Sequence, residues 1–134
     1  MLDDIVLVSS APQYSELATL WNQTNWGAYT ETQFRKIHAG NEIIVCARKK
    51  GRLVGYGRLL SDRVMYGYVQ DLIVAKDLRG MGVGEKLLNY LTEKGKECGL
   101  QFIGLFSTLD AEQFYIKQGF SDLSGKNVGL GIYL

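Results

Sequence analysis

The apolar residues of this chain recur with two different periods, and the changes between them predict the order of its elements. Short apolar runs, several of them alternating with polar residues, predict strands at residues 4–8, 42–48, 52–60, 63–74, 101–106 and 128–133. Apolar residues at every third or fourth position predict helices. The predicted helices carry Tyr14, Leu17, Leu20 and Trp21, then span about 31–39, about 82–98 and 111–118.

The predicted order is β-α-α-β-β-β-α-β-α-β, which is typical of a mixed α/β sheet. The strands at 42–48, 52–60 and 63–74 are joined by short turns and read as an antiparallel meander. The helix from about Gly82, with Gly99 as its stop, is long enough to carry the chain back across the sheet. We therefore predict that the strand at 101–106 pairs parallel to its predecessor.

Composition narrows the class of protein. The chain has 134 residues, enough for one domain, which we predict to span 1–134. A net charge of +1 gives no electrostatic reason to expect nucleic acid or an anionic membrane as partner. No apolar run reaches the roughly 20 residues of a membrane span, and the start of the chain lacks the basic segment of a signal peptide. Cys46 and Cys98 have no metal or redox spacing, so we expect two buried reduced thiols, no metal and a cytoplasmic protein.

The segment DLIVAKDLRGMGVGEKLL, residues 71–88, places three glycines where a helix must begin. The first N–H groups of a helix have no partners inside it, and the helix dipole adds partial positive charge there. Gly80, Gly82 and Gly84 carry no Cβ, so a phosphate could approach these N–H groups closely, beside the positive charge of Arg79. The pattern predicts a phosphate-binding turn.

Two common phosphate-binding loops do not fit this turn. The nucleotide-hydrolase loop ends in Gly-Lys-Ser/Thr, whereas Gly84 is followed by Glu85 and Lys86. The dinucleotide fingerprint has Gly-x-Gly-x-x-Gly in the first strand–helix unit, whereas this turn has Gly-x-Gly-x-Gly after a three-strand meander. Both of these loop classes are therefore disfavoured here, and a tight turn that simply needs glycine is the alternative to a phosphate site.

The spacing Arg-x-x-Gly-x-Gly, formed by Arg79, Gly82 and Gly84, resembles the GNAT superfamily of acetyl-CoA-dependent N-acyltransferases. The preceding strand end at residues 72–74 and the later FYIKQGF, residues 114–120, resemble further motifs of that family. The resemblance implies a single GNAT domain, with a bulged central strand that splays from its parallel neighbour, and acetyl-CoA as cosubstrate. In that family the turn amides hold the CoA pyrophosphate, and free strand amides face the pantetheine arm. The implied cofactor-binding residues are Leu72, Ile73, Val74, Arg79, Gly80, Met81, Gly82, Val83, Gly84 and Thr108.

The resemblance also implies two catalytic residues. Tyr115 matches the family tyrosine near the CoA sulfur, where it would protonate the departing thiolate. Many members carry a glutamate on the central strand where this chain has Tyr68, and Asp71 is the nearest carboxylate. We expect Asp71 to act as a base through water or as an orienting acceptor for the amine. Thr108 stands where many members have asparagine, so its contact with the pantetheine arm is a weaker expectation.

The implied function is transfer of an acetyl group from acetyl-CoA to a primary amine by direct attack, with a small amine or amino sugar as the favoured acceptor and a peptide amine also open. The acceptor pocket would draw on aromatic residues of the first two helices and central strands: Trp21, Trp26, Tyr29, Tyr66, Tyr68 and Tyr133. We expect His38 to be a surface histidine. The alternative function is a CoA-binding sensor or interaction module without turnover. The family resemblance also leaves a homodimer open, with residues 128–134 as pairing edge strands.

Overall fold

The computed structural model describes residues 4–40 and 42–134 of the chain. Its strands are β1 (Ile5–Val8), β2 (Ile43–Lys49), β3 (Arg52–Ser61), β4 (Tyr66–Val74) and β5 (Phe102–Gly104). Its helices are α1 (Tyr14–Trp21), α2 (Glu31–His38), α3 (Val83–Cys98) and α4 (Glu112–Lys117), with single 3-10 turns at Lys76–Leu78 and Leu109–Ala111. The predicted mixed α/β class is confirmed.

The five strands form one sheet in the order β1-β2-β3-β4-β5. The first three pairings are antiparallel, and the last, between β4 and β5, is parallel. Because α3 carries the chain from the end of β4 back to the start of β5, the parallel pairing predicted from the length of this helix is confirmed.

Strand β4 is bulged near its middle and loses its parallel partner at the same place. Tyr56 of β3 pairs with Ile73 and Arg58 pairs with Gln70, so Gly57 opposes both Asp71 and Leu72. Strand β5 pairs only with residues 66–68, and no other described strand lies beside residues 69–74 on that side. The bulge and splay implied by the family resemblance are thus present.

The core combines buried residues of the sheet with those of α1 (Leu17, Leu20 and Trp21), of α2 (Phe34) and of α3 (Val83, Leu87, Leu88, Leu91 and Gly95). Strand β3 approaches α3 closely because it has glycine where side chains would collide. A Cβ on Gly55 would lie 2.9 Å from Cδ1 of Leu87. One on Gly57 would lie 3.3 Å from Cδ1 of Leu91. These distances are below ordinary contact, so β3 and α3 pack backbone to side chain.

The predicted strand at residues 128–133 is wrong. Residues 128–134 have no regular structure, and their apolar side chains are exposed, with Val128 at 79% and Ile132 at 83%. The segment alternates apolar residues with glycine, which is a strand pattern, but a strand also needs a hydrogen-bonding neighbour. The sheet edge that it could join, β5, is only three residues long.

Other boundaries shifted for local reasons. The third meander strand begins at Tyr66 rather than residue 63, because Oδ1 of Asp62 accepts hydrogen bonds from the amides of Val64, Met65 and Tyr66 and closes a turn.

Cys46 is buried and Cys98 partly buried, and both are free thiols. Burial raises the pKa of the Cys46 thiol to about 11. Within residues 4–40 and 42–134, no helix is both long enough and apolar enough to cross a bilayer.

Truncating a side chain in this core should be costly. Leu87 is completely buried, so Leu87→Ala should lower the free energy of unfolding by about 2–5 kcal/mol through lost burial and a residual cavity. Urea denaturation measures the change. The matched control is Leu109→Ala, because Leu109 is 94% exposed and its truncation should change stability by no more than about 0.5 kcal/mol. Similar losses in both variants would contradict the assigned core.

Candidate active site

The loop between α1 and α2 is held over the sheet by the buried Trp21 and the partly buried Tyr14. The indole N–H of Trp21 donates to the carbonyl of Gly27 over 2.6 Å, and the hydroxyl of Tyr14 donates to the carbonyl of Tyr29 over 3.0 Å. Helix α2 begins directly afterwards, with a capping box between Thr30 and Gln33. These contacts keep the rings of Trp26 and Tyr29 beside that of Trp21, with centroids 5.9 and 4.7 Å away.

A cavity of about 390 Å³ lies between this loop, the bulge of β4 and the segment around α4. One wall is aromatic and consists of Trp21, Trp26 and Tyr29, and the floor is residues 69–72 of β4. The opposite wall is formed by Phe106, Thr108, Ala111 and Tyr115. The structure therefore brings both predicted catalytic residues, Asp71 and Tyr115, to one cavity at the splay of the sheet.

Asp71 is the centre of a buried polar network. Its Oδ2 accepts a hydrogen bond from Nε of Arg58 at 2.7 Å and another from the hydroxyl of Tyr29 at 2.6 Å. The same guanidinium donates to Oε1 of Glu42 at 2.9 Å and to the hydroxyl of Tyr29 at 2.9 Å. The side chains of Arg58 and Asp71 are only 8% and 9% exposed. At the bulge, Asp71 has a backbone φ of +58°, a left-handed conformation that this pairing helps to hold.

The network contains two carboxylates for one guanidinium, so its formal charge is negative. Oε2 of Glu42 is buried and accepts no hydrogen bond from any described residue. Burial, together with the hydrogen bond to Asp71, raises the pKa of Tyr29 to about 12, so this hydroxyl stays a donor at neutral pH. A negative group at the floor of an aromatic cavity is suited to holding a cation.

Tyr115 lies across the cavity from the aromatic wall. Its ring packs edge to face with Phe114 and Phe120, at centroid distances of 5.0 and 5.9 Å. Burial raises its pKa, so the phenol remains protonated at neutral pH and can donate a proton or hydrogen bond. The FYIKQGF motif thus uses its two phenylalanines to orient the tyrosine.

The glycine turn lies at the start of α3, as predicted. Gly80 and Gly82 have φ values of +77° and +88°, and Gly82 is the N-cap of the helix. Nothing lies within 4 Å of the Cβ position of Gly80, so its outer side is open. Nε of Arg79 donates to the carbonyl of Val74 at 3.1 Å, which anchors this cation beside the end of β4. These features fit an anion-binding turn.

The glycine turn and the FYIKQGF motif meet in space. A Cβ on Gly84 would lie 3.3 Å from Cζ of Phe114 and 3.6 Å from Cγ2 of Val74. Gly84 therefore allows α3, α4 and the end of β4 to pack together. The two motifs that carry the resemblance therefore pack directly against each other.

The remaining predicted residues do not all lie in the cavity. Thr108 lines the cavity, but its hydroxyl donates to Oδ1 of Asp110 at 2.7 Å. Tyr66 and Tyr68 line a separate open groove beside β5, where Tyr68 packs against Phe106. Tyr133 is fully exposed and lines neither.

Sequence reasoning missed Arg58 and Glu42, and it was wrong about His38. A charged residue inside the apolar run LVGYGRLL was the available signal for Arg58. His38 is partly buried, with Nδ1 2.8 Å from the carbonyl of Phe34 and Nε2 2.8 Å from the hydroxyl of the buried Tyr56. Tyr56 lies on a strand 18 residues away, so spacing within the helix could not reveal this partner.

Known proteins share this sequence pattern and fold. The sequence profile of the Acetyltransferase (GNAT) family matches residues 11–120. An uncharacterized N-acetyltransferase of Porphyra purpurea is 32% identical over 109 residues, covering 78% of this chain and 63% of that protein. Glucosamine 6-phosphate N-acetyltransferase 1 of Oryza sativa subsp. japonica is 33% identical over 89 residues, covering 62% of this chain and 52% of that protein.

A solved structure of a Staphylococcus aureus protein of unknown function has a TM-score of 0.87 against this chain, at 20% identity. The match covers 97% of this chain and 99% of the other. At this identity the likeness shows the fold alone. The chain spans 63% of the length of the first curated relatives that it matches.

Removing the buried cation should strongly destabilise the fold. Arg58→Met leaves Asp71 and Glu42 close together without their shared partner, so the free energy of unfolding should fall by about 3–5 kcal/mol. Urea denaturation at neutral pH measures this. The control Arg52→Met breaks the Arg52–Asp77 pair, whose side chains are 55% and 59% exposed, and should cost less than about 1 kcal/mol. Equal losses would show that the Arg58 network is not a buried ion pair in solution.

Proposed function

The chain belongs to the GNAT family of acetyltransferases, and on that premise we propose that it is an N-acetyltransferase that moves an acetyl group from acetyl-CoA to a primary amine in a ternary complex. The observation that carries the proposal is the continuity of three features. Residues 69–72 of β4 and Tyr115 border one cavity, and the glycine turn joins them through the packing of Gly84 beside Phe114, the neighbour of Tyr115.

Acetyl-CoA would be held mainly by backbone groups. The amides of the turn residues Arg79, Gly80, Met81, Gly82, Val83 and Gly84 would receive the pyrophosphate. The positive φ values at Gly80 and Gly82 and the open space beside Gly80 support this assignment, since they leave room for an anion. The pantetheine arm would lie along Leu72, Ile73 and Val74, on the side of β4 that has no described strand beside it, with Thr108 at the cavity wall.

In the proposed reaction the amine nitrogen attacks the thioester carbonyl carbon, and the carbon–sulfur bond breaks. Tyr115 donates its proton to the departing thiolate, and its raised pKa keeps that proton available. Backbone amides of β4 would polarise the carbonyl. The ammonium first loses one proton to water so that the neutral amine can attack, and the second N–H proton passes to the Tyr115 phenolate as the amide forms. The products are an N-acetyl amine, free CoA thiol and one released proton.

Asp71 would orient the amine, and water would carry the released proton away. This role is favoured over direct proton abstraction because Oδ2 of Asp71 is already engaged by Arg58 and Tyr29. These hydrogen bonds hold the carboxylate in place, and its charge still attracts an ammonium group. The same two hydrogen bonds on Asp71 also favour the alternative function, a CoA-binding module without turnover. Thiol release from acetyl-CoA distinguishes the enzyme from the module.

A homodimer and a cytoplasmic location stay predictions. The exposed alternating residues Val128, Leu130, Ile132 and Leu134 could pair with a second copy. The molecular mass of the protein in solution, measured at several protein concentrations, tests for the homodimer.

The phosphate turn can be tested with a pair of glycine variants. Gly80→Ala and Gly99→Ala both place alanine at a φ near +80°, at opposite ends of α3 and with nothing within 4 Å of the added Cβ. Each should cost about 1–2 kcal/mol of stability. Only Gly80→Ala should weaken CoA binding, by about tenfold, because the added Cβ would keep the phosphate out of hydrogen-bonding distance of a turn amide. Isothermal titration with CoA measures the affinity. Equal affinity in the two variants would remove this turn from the cosubstrate site.

The role of Tyr115 can be tested by release of free thiol from acetyl-CoA across a panel of amines. Tyr115→Phe should lower kcat by about 100-fold and leave CoA affinity unchanged, because only the proton donor is lost. Tyr90→Phe is the control, since Tyr90 is a partly buried tyrosine of α3 outside the cavity. An unchanged rate in Tyr115→Phe would exclude the proposed role. Binding of acetyl-CoA with no thiol release from any amine would favour the non-catalytic module.

A further inference from the structure

The cavity carries information about the acceptor. Resting on the proposed function, we infer that the acceptor is a primary ammonium carried on an aromatic or apolar body, and not a phosphorylated amino sugar. The inference comes from the chemical character of the side chains that line the cavity. The inferred acceptor differs from glucosamine 6-phosphate, the substrate for which the rice relative is named.

The walls of the cavity are dominated by aromatic rings. Trp21, Trp26 and Tyr29 line one side, and Phe106 and Tyr115 line the other. Trp26 is 42% exposed even though it is a large apolar residue, and its ring packs edge to face against Trp21. An exposed tryptophan held in place by a second ring offers a flat surface on which a ligand ring or a cation can pack.

The charged groups at the cavity are of one sign. Asp71 is the only ionised side chain among its described lining residues. Arg58, the cation behind it, is buried, and each of its three guanidinium nitrogens donates to Asp71, Glu42 or Tyr29. A phosphate in this cavity would therefore meet a carboxylate and no free cation, and recognition of a phosphate normally needs arginine, lysine or several backbone amides. An ammonium group would be attracted to the same carboxylate.

The geometry places the cationic and the apolar parts of such an acceptor side by side. The hydroxyl of Tyr29 bonds to Asp71, while its ring belongs to the aromatic wall. An amine at Asp71 would thus have its carbon body beside Tyr29 and Trp21. The cavity of about 390 Å³ favours a small acceptor.

The experiment uses ligands that share a ring and differ in charge. Binding of 2-phenylethylamine, 2-phenylethanol and 3-phenylpropionate to the CoA-loaded protein is measured by isothermal titration. Thiol release from acetyl-CoA is then compared for 2-phenylethylamine, glucosamine and glucosamine 6-phosphate. We expect the ammonium to bind at least about tenfold more tightly than the alcohol or the carboxylate. We also expect its kcat/KM to exceed that of glucosamine 6-phosphate by at least about tenfold.

A pair of variants tests whether the ligand binds in this cavity. Trp26→Ala should weaken binding of 2-phenylethylamine by about tenfold, because a packing surface for the ring and the ammonium is lost. Tyr66→Ala is the control, because Tyr66 is 59% exposed and lines the separate groove beside β5. Its binding of 2-phenylethylamine should be unchanged.

The outcomes separate this inference from the proposed function. Turnover that is fastest with glucosamine 6-phosphate would overturn the inference and leave the acetyltransferase intact. Tight, charge-selective binding of 2-phenylethylamine with no thiol release would support the acceptor site and count against turnover. Absence of charge-selective binding, or equal effects of the two variants, would overturn the inference whatever the turnover.

Discussion

Arg58 joins four parts of the chain through one buried guanidinium. It lies on β3, bonds to Asp71 at the bulge of β4, reaches Glu42 beside the start of β2 and meets the Tyr29 hydroxyl on the α1–α2 loop. A buried cation is tolerated only when its donors are satisfied, so each partner must be in place at once. The bulge, the sheet and the loop are consequently held in one arrangement, and the cavity between them depends on it.

The bulge has a second consequence, which concerns the backbone of β4. It places Asp71 and Leu72 opposite Gly57, three residues beyond Tyr68, where the pairing with β5 ends. Among the described residues, no strand lies beside β4 from that point on. Glycine makes the surrounding packing feasible, since Gly55 and Gly57 admit α3 and Gly84 admits Phe114. The Arg58–Asp71 pair and the three glycines together open the space in which the proposed chemistry would occur.

The same carboxylate serves the fold and the proposed site. Oδ2 of Asp71 is held by Arg58 and Tyr29, so this carboxylate is fixed in position. Fixed charge favours orientation of an ammonium, whereas proton removal needs a freer group. The aromatic wall completes the site by excluding water and offering apolar contact. In the proposed reaction the protein contributes mainly position and charge, with Tyr115 supplying the one acidic proton.

The sequence by itself determined the element order through β5 and α4, the parallel crossover and the glycine turn, because these depend on short-range periodicity and local turn chemistry. It also indicated Asp71 and Tyr115 through motifs close to those elements. It could not predict the network around Asp71, because Asp71 bonds to Arg58 and Tyr29, and Arg58 to Glu42, across 13 to 42 residues of sequence. For the same reason it missed the contact between His38 and Tyr56. It also assigned a strand to residues 128–133, where apolar residues alternate as in a strand but no described strand lies alongside to pair with them. Only the tertiary structure decided which polar groups are buried together and which strand pattern is paired, because both depend on contacts between segments distant in the chain.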